Sequence, residues 1–280
     1  MNPRALGAPR RFVRAAMLVA ALACAPPAMA QCPEPISPDE RLRRAASVTL
    51  TGAGVITAWG VTHWDYFSTS PSASSEGWFG QDSPEGGADK LGHLFTTYAT
   101  AQGIASLYEH WCFTPENAAR YGALSSFAIL GYMEFGDAFS DFGFSYEDLI
   151  ANAAGALAGY YRYRFPSLAE KVDLRWEYGF EPNQIDVTTD YDNSKYLVAL
   201  KLNGFDAFRR GVLRHVEFHA GYYTRGYSAP DEPDERTLYV GIGLNLTDLF
   251  RRQGYRKTAT FFNYYQPPGI YLAAEETPGD

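Results

Sequence analysis

The stretch 237-TLYVGIGLNL-246 alternates with a period of two. Leu238, Val240, Ile242, Leu244 and Leu246 fall on one face, and Tyr239, Gly241, Gly243 and Asn245 on the other. An α-helix would scatter both sets, so the chain is not helical throughout. Two segments before it, 196-YLVALKLNGF-205 and 215-HVEFHAGYYTRGY-227, read as strands on the same grounds, and 259-ATFFNYYQPP-268 is a fourth candidate. An outer-membrane barrel made of one chain needs at least about eight strands, and three to five are countable here. The expectation is therefore a small antiparallel β-sheet or hairpin extension over 196–268. An amphipathic helix and linker should precede it over 166–195, and a disordered acidic tail should follow over 269–280.

Upstream, from 37 to about 165, the period is helical. Ser37-Pro38-Asp39-Glu40 is a capping box with proline at the first helical position. It opens a helix through 45-AASVTLTGAGVITAWGVTHW-64. After the Ser/Pro/Gly-rich linker 68-STSPSASSEGWFGQDSPEGGA-88, a second helix runs from near Asp89 to about Trp111. Thr114-Pro115-Glu116-Asn117 starts a third, and Ser145-Tyr146-Glu147-Asp148 a fourth ending near Arg162 and Arg164, cations suited to a helix C-terminus. Gly155-x-x-x-Gly159, extended back to Ala151, allows close approach of a neighbouring helix. The fold class that follows is α+β: mainly a compact bundle of four helices over 31–165, with the small sheet attached. Polar interruptions such as His93, Gln102 and Glu109 favour a bundle resting on or partly in a membrane over four full spans, which need about 20 apolar residues each.

The N-terminus reads as an export signal over 1–30. Arg4, Arg10, Arg11 and Arg14 precede an apolar run, and Ala28-Met29-Ala30 supplies a small-x-small cleavage pattern before Gln31. Lipidation at Cys24 is the competing reading. Either route points to the periplasm of a Gram-negative bacterium, with membrane association and the outer membrane as one destination. The signal holds four of the 24 basic residues and none of the 32 acidic ones, so the remainder carries −12. That argues against a nucleic-acid partner, which wants a basic footprint, and against electrostatic attachment to anionic lipid. Cys32 and Cys112 remain after cleavage, a disulfide candidate in an oxidising compartment. Closing a loop of about 80 residues would stabilise by roughly 4 kcal/mol.

The stretch 134-EFGDAFSD-141 places three carboxylates inside an otherwise apolar helix. Glu134, Asp137 and Asp141 share a face at i, i+3 and i+7; Asp89 and His93 share another at i and i+4; Asp148 and Asn152 share a third. Each has a bland explanation: Asp148 completes a capping box, Asp89 caps a helix, Lys90 lies at the surface and His93 sits satisfied in a core. Together they give five acids against Lys90. Buried charges must be paired, bound to a metal or neutralised by protonation. The set therefore lines a wet cleft, is completed by a cation, or holds protonated carboxyls.

Asp89-Lys90-x-x-His93, an acid in an apolar helix (Glu134), and Asp148-Leu149-x-x-Asn152-x-x-Gly155 together resemble the pattern of VanZ-like membrane proteins. They are more similar still to the uncharacterised YfiM-like envelope family of periplasmic lipoproteins. The resemblance covers about 88–162, and the strand segments are similar to the extension of longer members. It implies an envelope protein without supplying a reaction, although VanZ-like proteins are associated with glycopeptide resistance.

Three functional readings follow. The first is a membrane-associated envelope protein with a binding or structural role, its partner a lipid or protein of the envelope or a second copy. The second is a metal-dependent hydrolase or transferase acting on an envelope lipid or glycan. There His93, Glu134 and Asp137 would be acid/base groups or ligands of a divalent metal, with Asp89, Lys90, Asp141, Asp148 and Asn152 binding substrate. Carboxylate and imidazole ligands suit Mg, Mn, Ca or Zn. The third is transport along an ionisable path through an oligomer.

Overall fold

The computed structural model describes residues 32, 34, 36–179, 189–228 and 233–278. The expected signal segment, with Cys24 and Ala30, lies outside them. Four long helices form the first half: α1 (Pro38–His63), α2 (Ala88–His110), α3 (Pro115–Asp137) and α4 (Tyr146–Arg164). Their starts follow the sequence signals. Ser37, Thr114 and Ser145 each accept a hydrogen bond from the backbone N–H three residues on. Helix α2 differs, because its cap is Gly87, in the left-handed region at φ 84°, and Asp89 lies inside the first turn.

Helices α2, α3 and α4 pack tightly because small residues let them. A Cβ on Gly155 would sit 2.2 Å from the carbonyl oxygen of Leu94, so the α2–α4 contact requires glycine there. Helix α1 packs chiefly on α3 and buries only Ala45 and Gly60 fully. Its outer face leaves Leu42, Leu50, Val55 and Val61 exposed, and the helix is long and apolar enough to cross a membrane. A disulfide joins Cys32 to Cys112, with Cα atoms 5.5 Å apart, and ties the start of α1 to the end of α2. The linker after α1 crosses the bundle, where β1 (Ala73–Ser74) pairs in parallel with β2 (Phe144–Ser145).

The second half is larger than a hairpin extension. Strands β3 (Val172–Tyr178), β4 (Ser194–Lys201), β5 (Val216–Arg225), β6 (Glu235–Leu244) and β7 (Tyr271–Glu276) form one antiparallel sheet in chain order. The stretch 166–195, expected as amphipathic helix and linker, contributes a short helix α5 (Pro166–Ala169) and the whole of β3. Part of the expected disordered tail is β7. Leu246 does not continue β6: it opens α6 (Leu246–Arg252), because the side chain of Asn245 caps that helix by accepting from the Asp248 N–H at 3.0 Å. The candidate fourth strand begins instead as α7 (Arg256–Phe261).

The sheet closes on itself. The Trp176 N–H donates to the Tyr264 carbonyl (2.8 Å), and the Gln266 N–H donates to the Trp176 carbonyl (2.9 Å). The chain from 264 to 276 thus borders β3 at its start and β6 at its end. Closure turns the sheet's polarity inside out. Asp173, Arg175, Glu217 and His219 point inward and are buried, while Val198, Phe218, Val240 and Ile242 on the other face are exposed. Part of that outer face is covered: Phe95 of α2 packs against the rings of Trp176 and Tyr196, and the linker before α2 lies over the far end of β5, where Phe79 meets the Tyr222 ring and the Tyr222 hydroxyl donates to the Gly86 carbonyl.

Candidate functional site

Three helix ends converge on one polar centre: the start of α2, the end of α3 and the start of α4. Lys90 is buried and faces three carboxylates. Its Nζ lies 2.6 Å from Asp89 Oδ2 and 3.2 Å from Asp148 Oδ1, and it also donates to Glu76 of the linker. Asp148 holds the third position after the Ser145 cap, and its carboxylate is turned toward Lys90 and toward His93, whose Nε2 is 3.9 Å away. The His93 Nδ1 stands 3.2 Å from Glu134 Oε1, an oxygen that accepts a hydrogen bond from Asn152 Nδ2 at 3.1 Å. The Asn152 oxygen accepts from the Thr97 hydroxyl (2.7 Å), so the network runs on into the α2–α4 interface.

The excess of negative charge is relieved mainly by protonation. Burial pushes the Glu134 carboxyl up to about 9, and the nearby charges of Asp148 and Asp137 add to it against the Asn152 hydrogen bond. Its place in the last turn of α3, at the negative end of the helix dipole, works in the same direction. Burial raises Asp137 to about 7, although its hydrogen bond with the Tyr66 hydroxyl opposes the shift. Asp89 rises to about 6, because burial outweighs Lys90. The Lys90 ammonium is weakened by burial, but three carboxylates overcome this and hold it above the ordinary lysine value. His93 is lowered by burial, more than Asp148 restores. At neutral pH the centre therefore holds a protonated Glu134 beside a neutral His93, next to a charged lysine among carboxylates.

The structure gathers Asp89, Lys90, His93, Glu134, Asp148 and Asn152 and leaves two expected residues out. Helix α3 ends at Asp137, and the backbone turns through Ala138–Gly143, so the i+7 position does not exist and Asp141 is exposed. Asp137 sits at the edge of the centre with Tyr66, whose ring fills the space left by Gly60 and Gly136. The metal set His93, Glu134 and Asp137 is not the one whose ligand atoms converge. Among the described residues, the one such group is Glu76, Asp89 and Asp148, with ligand atoms within 4.8 Å of one another. Glu76 was overlooked in the linker; its signal is a lone acid in 68-STSPSASSEGWFG-80.

A second polar centre fills the closed sheet. Arg175 pairs with Glu217 (2.5 Å) and Asp173 (3.1 Å) and donates to Gln266 (2.9 Å). Lys201 (2.8 Å) and Arg162 (2.6 Å) also meet Asp173, and His219 lies 2.9 Å from Glu217. Burial works against ionised Asp173, but its three cations hold it down at about 2. The alternation 172-VDLRWEY-178 carries this signal, with Asp173, Arg175 and Glu177 on one face.

Residues 75–164 match the model of a family described as "Predicted periplasmic lipoprotein (DUF2279)". The matched stretch holds α2, α3, α4 and Glu76, and is 90 of the 280 residues. No curated protein and no solved structure matches the chain. The part that carries the first polar centre is thus similar to an uncharacterised family of envelope proteins assigned to the periplasm.

Proposed function

We propose that this chain is an exported envelope protein seated against a membrane, with a binding or structural role, and that its helical polar centre fixes the register of α2, α3 and α4. The observation that carries the reading is the placement of apolar side chains. Leu50, Val55 and Val61 of α1, Leu124 and Phe135 of α3, and Ile150 and Leu157 of α4 are exposed, while the carboxylates turn inward. Water disfavours that distribution over so many elements, and an apolar environment favours it. The family match supports an envelope location, in line with the resemblance of the Asp89-Lys90-x-x-His93 and Asp148-Leu149-x-x-Asn152 segments to YfiM-like and VanZ-like proteins. The test is alkaline carbonate washing of membranes from exporting cells, with a Cys24→Ala variant beside the wild type to remove any lipid anchor. Both should stay with the membrane pellet; complete release of the variant would sink the reading.

The alternative, a metal-dependent hydrolase or transferase acting on an envelope lipid or glycan, draws support from the convergence of Glu76, Asp89 and Asp148. Lys90 argues against it, because its ammonium already occupies the space among those oxygens and supplies the cation. A divalent metal would have to displace it. Stoichiometric metal in the purified protein, lost in Glu76→Ala, would move the reading to the enzyme.

A further inference from the structure

The chain's negative total hides a basic end. The segment before β5, 209-RRGVLR-214, and the segment after β6, 250-FRRQGYRK-257, meet at one edge of the closed sheet. Arg214 holds them together: it reaches Asp248 at 2.8 Å and 2.9 Å and donates to the Arg209 carbonyl at 2.8 Å. His215 meets the same carboxylate at 3.0 Å. Arg209 is partnered by Asp206 and Glu170. Arg210, Arg251, Arg252, Arg256 and Lys257 are all exposed and form no salt bridge among the described residues. Between these cations stand exposed apolar side chains, Val212 at 82%, Leu213 and Tyr255. The opposite end of the sheet is acidic, with Glu85 crowded by Asp192 and Asp234.

The basic end continues directly into the uncovered apolar face. The outermost rung pairs Val216 with Leu244. From there Leu244, Ile242, Val240 and Leu238 run up β6, flanked by Phe218 and by Leu272, which is 84% exposed. Six residue steps at about 3.3 Å make this row about 20 Å long, enough to cover one leaflet of a hydrocarbon core about 30 Å thick. The backbone of β6 is paired on both sides, so the face offers no open hydrogen-bonding groups. A protein partner would gain little there beyond contact, whereas lipid needs nothing else. A row of aliphatic side chains ending in a collar of unpaired arginines matches acyl chains topped by phosphates.

We propose that this end of the sheet docks on a bilayer carrying anionic headgroups, with Arg210, Arg251, Arg252, Arg256 and Lys257 at the phosphates and Val212, Leu213 and the Leu238–Leu244 row in the acyl layer. The proposal rests on the membrane seat argued above, names the chemistry of its surface, and gives the molecule an orientation.

The test is co-sedimentation of the chain, as processed by its exporting cell, with vesicles of phosphatidylcholine alone or mixed with phosphatidylglycerol. The wild type should prefer the anionic vesicles, and added salt should reduce that preference. Each cation near an anionic surface is worth roughly fivefold in partitioning, so Arg251→Ser with Arg252→Ser should reduce anionic binding about 25-fold at low salt. Val212→Ser with Leu213→Ser should weaken binding to both vesicles and leave the salt dependence in place. All four positions are exposed, and circular dichroism would confirm that the variants fold. Equal binding to both vesicles, insensitive to salt and to the arginine pair, would overturn this surface while leaving the membrane seat standing. No binding to either vesicle would remove both. A dimer dispersed by Val240→Ser with Ile242→Ser, with vesicle binding unchanged, would assign the face to a second copy and overturn the proposal.

Discussion

The two polar centres solve the same problem in opposite ways. In the sheet, Asp173 and Glu217 meet Arg162, Arg175 and Lys201, so buried charge is balanced by buried charge. In the bundle, Lys90 faces too many acids, and the surplus is met by protonation of Glu134 and partly of Asp137. Asp173 is therefore held ionised well below neutral pH by its three cations. The bundle's centre sits near its titration points and responds to pH.

Removing one partner from the balanced centre should cost most. Arg175→Met leaves Glu217 and Asp173 buried with fewer cations, an uncompensated charge worth about 3–5 kcal/mol. Urea unfolding at pH 7 should show that loss, and Arg175→Met combined with Glu217→Leu should recover part of it by removing the orphaned carboxylate. A single variant as stable as the wild type would mean that the sheet interior is wet and the closure looser than the hydrogen bonds to Trp176 indicate.

The unbalanced centre should reveal itself through pH. Glu134 is protonated in the folded state up to about 9 and ionised in the unfolded chain above its ordinary value of 4.5. Its raised folded-state value means that the group favours folding fully below 4.5, and that stability declines as pH rises from there to about 9. Over that range the slope is about 1.4 kcal/mol per pH unit. Glu134 dominates the window from pH 7 to 8, because Asp137 and Glu85, each raised only to about 7, contribute in the same sense mainly below it. His93, whose folded value is lowered, costs stability only as pH falls below 6.5, and Lys201, lowered to about 8 by burial, acts in the opposite sense mainly above pH 8. Urea midpoints should therefore fall between pH 7 and 8 in the wild type by an amount worth about 1.4 kcal/mol. Glu134→Gln, which mimics the protonated acid, should flatten the curve. A wild-type curve already flat there would show that Glu134 is ionised and compensated.

The contrast also separates what was legible in the sequence from what was not. Caps at Ser37, Thr114 and Ser145 fixed three helix starts, and a close helix contact was readable at Gly155, though not that its partner is α2, because a cap acts locally whereas the partner is set by the packing. The site was half legible: His93, Glu134, Asp148 and Asn152 share faces at helical spacing, and bundle packing brings those faces together. Glu76 was hidden because a linker residue reaches a site only through tertiary contact. The sheet misled in a different way. Leu238, Val240, Ile242 and Leu244 mark one face, and the habit of water-soluble proteins turns such a face inward. Closure between β3 and residues 264–266 reverses this, and no local pattern in β6 announces a hydrogen bond made at Trp176.

The smallest expected effect tests where the helical pattern stopped being true. Asp137 and Asp141 differ by four residues and would be neighbours on a continued helix. The chain leaves the helix at Ala138, however, and Gly143, at φ 80°, turns it toward β2. Asp141 ends in solvent, where replacing one exposed carboxylate changes stability by no more than about 0.5 kcal/mol. Asp141→Asn should therefore leave both the urea midpoint and the slope between pH 7 and 8 as they are in the wild type. Asp137→Asn should not be silent, because it removes a charge that helps to raise Glu134; the decline in stability above pH 7 should become shallower. If Asp141→Asn shifts that slope as much as Asp137→Asn does, α3 continues past Asp137 in solution, and the third carboxylate belongs to the polar centre after all.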